Sequence, residues 1–596
     1  MAAGARENLY AALLWPLISL LDIYARWAIA RGEAWRVTHH PLLRLMLMTA
    51  RGRRVISRAE QALGISVAAQ RQMSAVEELR DRLRAAREFG KRDREAEETL
   101  RKDGSEQSLI ALARHYIALG EFQECTTLLK QAPQSRALRQ MSVRLALATG
   151  QSVEPELLKS VSGKVHETPL LVAATLAQSG TQATLGLLEN MKRNGVVDFL
   201  TGHVALFADR PDLAVARLES VLSRDACFGE ALSDLALAHE RQGNLVAAED
   251  AYRKAIDAAW RPHRRTPHEA GLAIPSRSNT IFRYLAMLAA AGRREEATAL
   301  LWDIPDPVAT KAASFFKAKP WRGEALDGKG ILVLNRRGLG DQLRSLAALE
   351  RLRPSVKLTL AVEQRIARMI SCAFPGFDVR AARHNDFNSL AGNYDFVADG
   401  EFMLRLATLQ EPQVIKHTAL VPLPACAEEM KPGIAARSGL RIALGWRSLL
   451  PGIEREIHDL STRALANIGT RSDITFIPLQ PGQTEEEIRV FGNDPGIDTR
   501  DDLEAVLAAL SHCDVCIATP SALCELAGAA GIPTLQIIKF PVGFTLWRFD
   551  ENGHDRLWPW MRALIAKTGE SEEELAARAV DAAQKLATEY GRHKPA

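Results

Sequence analysis

ILVLNRRGLGDQLRSLAALERL, residues 331–352, decides the fold. Ile331 to Leu334 form an apolar run of strand length, ended by Asn335, Arg336 and Arg337. Gly338 and Gly340 permit a tight turn and close approach of a ligand to the backbone. Apolar residues then resume at helical spacing. A strand, a glycine turn and a helix open a parallel α/β unit. Asp341 falls where the helix begins. A carboxylate there either caps the helix or, at a cleft mouth, serves as general base toward an acceptor hydroxyl. The stretch lacks the full dinucleotide fingerprint G-x-G-x-x-G.

Downstream, short apolar runs alternate with helix-like segments. ILVLN, KLTLAV, YDFVAD, RIALGW, ITFIPLQ, VCIAT and TLQII read as buried strands. They fall into two blocks, residues 328–435 and 436–590, separated by a Pro- and Gly-bearing stretch. Each block is expected to form a Rossmann-like parallel sheet. Two such sheets face one another across a cleft at their C-terminal strand ends, where ligands sit in open α/β folds. In the second block one strand ends in Gly445, Trp446 and Arg447, another in Gln480, Pro481 and Gly482. Thr519, Pro520 and Ser521 make a turn before a helix, so free N–H groups near Ser521 are available to an anion. Arg447 has a fork suited to phosphate, or forms a surface ion pair. Trp446 reads as core. Lys539 ends a further strand and is a secondary candidate; Arg455 and His458 lie on the loop after the first strand and read as solvated.

Upstream, residues 105–318 read as an all-α solenoid. The segment EALSDLALAHERQGNLVAAEDAYRKAIDAA sets small or apolar residues at helical spacing on either side of Gly243. Weaker echoes surround Gly120 and Gly292. This resembles the tetratricopeptide repeat, a helix–turn–helix unit of about 34 residues. Such units stack because one alone cannot bury its apolar face, and the stack exposes an extended surface for a partner. Residues 1–104 form an N-terminal helical region, Arg-rich and strongly charged over 52–104. Within it, LYAALLWPLISLLDIYARWAIA at 9–30 is interrupted by Pro16, Asp22 and Arg26, unlike a spanning helix of about 20 apolar residues. With its basic flank it fits either a packing helix or a peripheral membrane contact.

The chain of 596 residues is too long for one core, and a net charge of +4 argues against bulk nucleic-acid binding. Seven cysteines are scattered; Cys513 and Cys516 form a lone C-x-x-C with no second pair, so they read as buried thiols rather than metal ligands.

Taken together, IALGW, FIPLQPG, DVCIATPSALCELAGAAGIPT and the closing LWRF and LWPWMRAL resemble GT-B glycosyltransferases fused to tetratricopeptide repeats, heptosyltransferase-like in their motifs. Among these the nearest resemblance is to bacterial protein glycosyltransferases that modify flagellin with nonulosonic sugars. The resemblance covers about residues 330–565 together with the repeats before them. It implies transfer from a nucleotide sugar without metal or other cofactor, with the second sheet binding donor and the first binding acceptor. It implies Asp341 as base, Arg447, Gln480, Gly482, Pro520, Ser521 and Glu525 on the donor side, and Gly338 and Gly340 in the acceptor-side loop. The family often has Asp-Thr before the nucleotide-side helix and His four residues beyond; here stand Pro520-Ser521 and Glu525. Glu525 offers acceptors to ribose hydroxyls but repels a diphosphate, which favours a monophosphate donor such as a CMP-linked acidic sugar. The expected acceptor is a protein held by the repeats, flagellin in particular, and the expected location cytoplasmic, with or without peripheral contact at the inner membrane. Two other readings stay open. One is transfer to a lipid-linked or polysaccharide acceptor at the inner membrane. The other is a non-catalytic scaffold with a decayed transferase fold.

Overall fold

A computed structural model of the chain describes residues 93–591 apart from 150, 160–166, 259, 261–271, 273, 336–337, 350–355, 383–385, 410–419, 423–426, 429–438, 449–455, 470, 472 and 492–495, together with a few positions between 76 and 83. The apolar stretch at 9–30 and Arg455 lie outside the described residues. No helix among the described residues is long and apolar enough to cross a membrane. The chain divides into two compact units, 1–118 and 119–596.

In the first unit, Asp93 caps the helix Arg94–Asp103 by accepting from the Ala96 amide at 3.0 Å. The next helix begins at Glu106, and its Tyr116 hydroxyl donates to the buried Glu97 carboxylate at 3.2 Å.

The second unit opens with helices and closes with sheets. After Phe122–Gln131, Arg136–Thr149 and Thr168–Glu189 come α1 (Gly195–Phe207), α2 (Pro211–Leu222), α3 (Gly229–Arg241), α4 (Leu245–Asp257), α5 (Arg277–Ala290) and α6 (Arg294–Leu301). Each packs on the next. Asn194, Asn244 and Ser276 cap α1, α4 and α5 with side-chain oxygens, satisfying N–H groups that a helix start leaves open. Ala248, Tyr252 and Ala255, three of the small or apolar residues that follow Gly243 at helical spacing, are fully buried.

Two separate five-stranded sheets follow, and every strand pairing within them is parallel. The first contains β1 (Lys319–Pro320), β2 (Gly330–Leu334), β3 (Lys357–Val362), β4 (Asp378–Ala381) and β5 (Phe396–Asp399), in the order β1-β5-β2-β3-β4. Its helices are α7 (Leu339–Leu349), α8 (Gln364–Ala373) and α9 (Gly400–Leu409). The second contains β6 (Leu440–Gly445), β7 (Ile474–Pro478), β8 (Val515–Ala518), β9 (Thr534–Ile538) and β10 (Met561–Ile565), in the order β10-β9-β8-β6-β7. Its helices are α10 (Thr462–Gly469), α11 (Glu485–Phe491), α12 (Leu503–Ser511), α13 (Ala522–Ala529), α14 (Gly543–Leu546) and α15 (Glu572–Glu589). Strand order reverses between β2 and β5 in the first sheet and between β6 and β8 in the second, and a crevice opens at such points.

The two sheets meet through α7 and α13, which pack directly on one another. A Cβ at Gly340 would stand 3.3 Å from the Glu525 Cγ and 3.4 Å from the Ala522 Cα, so the bare backbone lets the first turns of the two helices touch.

The helical layer is docked on both halves. Phe540 stacks on Phe207 at 5.6 Å, and the Arg241 guanidinium lies 4.4 Å from the centre of the same ring. On the other half, Arg405 covers Phe282 at 4.1 Å. A Cβ at Gly543 would stand 2.4 Å from both the Cα and the amide nitrogen of Met287. Gly543→Ala is therefore expected to push α14 off α5 and to cost about 1–3 kcal/mol, read as a lowered urea midpoint.

The Gly543 amide donates to Glu240, whose other oxygen accepts from the Tyr252 hydroxyl at 3.1 Å. Burial pushes the Glu240 carboxyl up to about 7, against the pull of Gly543, Tyr252 and Arg283. Because the folded value lies above the unfolded one of 4.5, what this group adds to stability is complete below 4.5 and is lost as pH rises through about 7. Glu240→Gln keeps an acceptor for Gly543 and removes the charge. It is expected to raise the melting temperature at pH 8, by about 1–2 kcal/mol of stability, and to leave it unchanged at pH 4.

Candidate functional site

At the first switch point the chain leaves β2 through Asn335 and re-enters regular structure at α7. Gly338 is exposed, Gly340 abuts α13, and Asp341 lies in the first turn of α7. Among the described residues no backbone N–H donates to Asp341, so it does not cap the helix. Its side chain is 40% exposed, and its partner is Arg344, one turn on, with Nη1 3.5 Å from Oδ1. Asn335 is buried, its Oδ1 3.1 Å from the Ser345 hydroxyl.

At the second switch point, β6 ends beside β8. Here Gln480 acts as a clamp: its Oε1 accepts from the amides of Trp446 and Arg447, both at 3.0 Å. This ties the end of β6 to the loop after β7. Trp446 is wholly buried, as expected of a core residue, and its Nε1 donates to Glu487 at 2.6 Å. Arg447 turns its fork to the same carboxylate, with Nε at 3.2 Å and Nη2 at 2.7 Å, and Nη2 also reaches the Gly482 carbonyl at 2.6 Å. Nη1 is left without a partner among the described residues. Burial would raise the Glu487 carboxyl, but Arg447, the Thr484 amide and Trp446 hold it below its ordinary range.

Across the crevice, Ser521 stands in the cap position of α13 in extended conformation and makes no side-chain cap bond. The hydroxyls of Ser521 and Thr519 are buried and, among the described residues, unpartnered. Two hydroxyls with open hydrogen-bonding capacity, at a helix start and at a switch point, form the part of the site most suited to a phosphate. Pro520 lies between them, partly buried.

Glu525 is placed differently from its neighbours. It is 2% exposed, and both carboxylate oxygens are engaged. Oε1 meets Arg548 Nη1 at 2.6 Å and Arg344 Nη2 at 3.1 Å; Oε2 accepts from Trp558 Nε1 at 3.1 Å. Burial alone would raise its carboxyl, but Arg344 and Arg548 hold it at about 2. Arg548 also pairs with the buried Asp555, which in turn accepts from the amides of Leu557 at 2.7 Å and Trp558 at 3.1 Å. Trp547 and Trp558 are buried.

Three residues near the crevices carry chemistry that sequence reasoning passed over. Asp459 accepts from the Ser448 amide at 3.1 Å, and burial, with Glu456 adding, pushes it up to about 7 against Ser448, Lys539 and Arg447. Arg344 joins Asp341 to Glu525. Asp399, buried at the end of β5, takes the Glu401 amide at 3.1 Å. Only Arg344 left a trace in the sequence, three residues after Asp341 on one helix. Lys539 is engaged by the Asp459 carbonyl and by Glu572. His458 is buried, and burial, aided by Lys539 and Arg241, pushes it down to about 3. Among the described residues no cluster of His, Cys, Asp or Glu is placed to hold a metal. Cys513 and Cys516 are buried, and burial pushes the Cys513 thiol up to about 12.

Removing one partner of a buried charge group leaves the other uncompensated. Glu525→Ala is expected to cost about 3–5 kcal/mol, measured by urea denaturation at neutral pH. In the wild type this contribution is present above the unfolded carboxyl value of 4.5 and is lost as pH falls through about 2.

No family model matches the sequence. Over 241 residues the chain is 28% identical to Protein FlbA of Caulobacter vibrioides, a match covering 36% of this chain and 40% of that protein. The chain thus spans less than half the length of this curated relative. Among solved structures, it is similar to a glycosyl transferase family 9 protein from Veillonella parvula at 13% identity and TM-score 0.34, over 45% of this chain and 99% of that one. It is similar to a mutant Thermobaculum terrenum O-GlcNAc transferase at 13% identity and TM-score 0.24, over 77% and 93%. Haemophilus influenzae LpoA gives 11% identity and TM-score 0.16, over 82% and 84%.

Proposed function

We propose that this chain is a glycosyltransferase of GT-B type that moves a sugar from a nucleotide donor to a protein acceptor without a metal ion. One observation carries the reading. The first turns of α7 and α13 touch, so that Asp341 of the first sheet's switch point and the free Thr519 and Ser521 hydroxyls of the second lie beside the same junction. A base and a phosphate cradle contributed by two separate parallel sheets are what transfer between two bound substrates needs.

In this reading the donor phosphate lies on the start of α13. Ser521 and Thr519 donate to its oxygens, Pro520 and Gly482 shape the walls, and Arg447 offers Nη1. Gln480 acts through the backbone it clamps. Glu525 braces α13 and touches no donor atom. The acceptor enters over Gly338 and Gly340. Asp341 takes the proton of its hydroxyl as the hydroxyl oxygen bonds to the anomeric carbon. The bond from that carbon to the donor phosphate breaks, and the nucleotide leaves with the electron pair. With Glu525 removed from the crevice by its own partners, the earlier electrostatic preference for a monophosphate donor loses its basis. A CMP-linked acidic sugar then rests on the sequence resemblance alone. The helical layer, read as a tetratricopeptide-like solenoid, holds the acceptor, and flagellin modified with a nonulosonic acid is the specific case we propose.

Thermal shift against CMP, UDP, GDP and ADP and their sugars tests the donor, since a ligand at 100 times its dissociation constant stabilises by about 2.7 kcal/mol. No shift with any of them removes the transferase reading and leaves a protein-docking scaffold. Asp341→Ala is expected to lower transfer by about 10²–10⁴-fold while leaving donor affinity within about threefold. Intact-mass analysis of flagellin from cells with wild-type protein and with the variant checks the acceptor. Equal masses on deleting the gene exclude flagellin.

A further inference from the structure

We propose that Arg344 is a positioning residue for the Asp341 carboxylate, and that its own position is set from the opposite sheet by Glu525. The inference deepens the transferase reading and rests on it for the role of Asp341; the contact itself does not.

Five charges of alternating sign run through the junction: Asp341, Arg344, Glu525, Arg548 and Asp555. The first two belong to α7, Glu525 to α13, and the last two to the segment before β10. Exposure falls along the chain, from 40% for the side chain of Asp341 through 22% for Arg344 to 2% for Glu525. The buried end is fixed. Glu525 is gripped by Arg548 and Trp558, and Arg548 by Asp555. The open end is the candidate base.

An ion pair three residues apart on a free helix surface holds its partners weakly, because two long side chains must give up their freedom for a screened attraction. Arg344 is not on a free surface. Its Nη2 is fastened to Glu525 at 3.1 Å and its Nε is buried, so the guanidinium plane is set before Asp341 is considered. Nη1 then faces Asp341 Oδ1 at 3.5 Å, beyond an ordinary hydrogen bond and within reach of a directed charge. The Asp341 carboxylate is drawn toward one side of the first turn and its second oxygen is left for the acceptor. A guanidinium serves both carboxylates because it carries two separate amines on a rigid frame; an ammonium has one nitrogen. Gly340 completes the arrangement, since the close contact of α7 with α13 at that position is what brings Arg344 within range of Glu525. The two halves of the fold thus bear on the base through one side chain.

The test uses the full chain as wild type, Arg344→Gln and Arg344→Lys. Carbodiimide-driven coupling of an amine to Asp341 is read by peptide mass, a measurement that does not need the enzyme to turn over. Glu525 keeps Arg548 and Trp558 in both variants, so the fold is retained and melting temperature checks it. Labelling of Asp341 is expected to rise about threefold or more in Arg344→Gln, because a carboxylate released from a guanidinium is more available, and to be intermediate in Arg344→Lys. Transfer by Arg344→Gln is expected to lose about 10–100-fold in kcat with the donor KM within about threefold, the pattern of a misplaced group rather than a lost ligand. Unchanged labelling in a folded Arg344→Gln overturns the inference, and so does raised labelling with an unchanged kcat. A wild type that binds no nucleotide and transfers no sugar overturns the transferase reading instead, and the labelling still decides whether Arg344 holds Asp341.

Discussion

A carboxylate taken out of water must be paired, and Glu525 is the buried charge on which the junction of this molecule depends. Its two oxygens collect Arg344 from the first sheet's leading helix, and Arg548 and Trp558 from the closing segment of the second. Desolvating such a group costs several kcal/mol, recovered only where the geometry supplies enough donors. Here three donors do so. The consequence is spatial: α7, α13 and the loop carrying Asp555 are held to one point, and the crevices on either side inherit their spacing from it.

Apolar packing surrounds that point. One continuous core runs from Ile331 and Val333 through Leu343 and Leu346 to Leu523, Leu526 and Trp558, joining the two sheets beneath their C-terminal edges. The helical layer is fastened as firmly. Phe540 and Val542 share a core with Phe199 and Leu206, while Trp547, Phe402 and Leu406 share another with Tyr252 and Ile281. The helical layer is therefore seated on both sheet-bearing halves by shared apolar cores.

The polar groups near the crevices divide by what they touch. Gln480, Glu487 and Asp459 are engaged with the backbone or with neighbouring side chains and give the loops their shape. The buried hydroxyls of Thr519 and Ser521 have no partner among the described residues. Arg447 belongs to both groups, with two nitrogens on Glu487 and Gly482 and one without a partner among the described residues.

Local order was legible in the sequence. Each of the seven apolar runs named from the sequence falls on a strand, because buried parallel strands read as continuous apolar segments. It missed β4 and β10, whose edge positions leave polar or half-exposed residues such as Arg380 and Arg562 in line, and the two-residue β1 inside a stretch rich in turn residues. It also placed Asp341 at a helix start and Ser521 at another. Which charges meet was settled by the folded chain alone. Glu525 and Arg344 lie in different halves of the fold, and no spacing rule links them. Periodicity reports what a segment does with its own neighbours; a buried ion pair depends on where two distant segments are carried by everything between them.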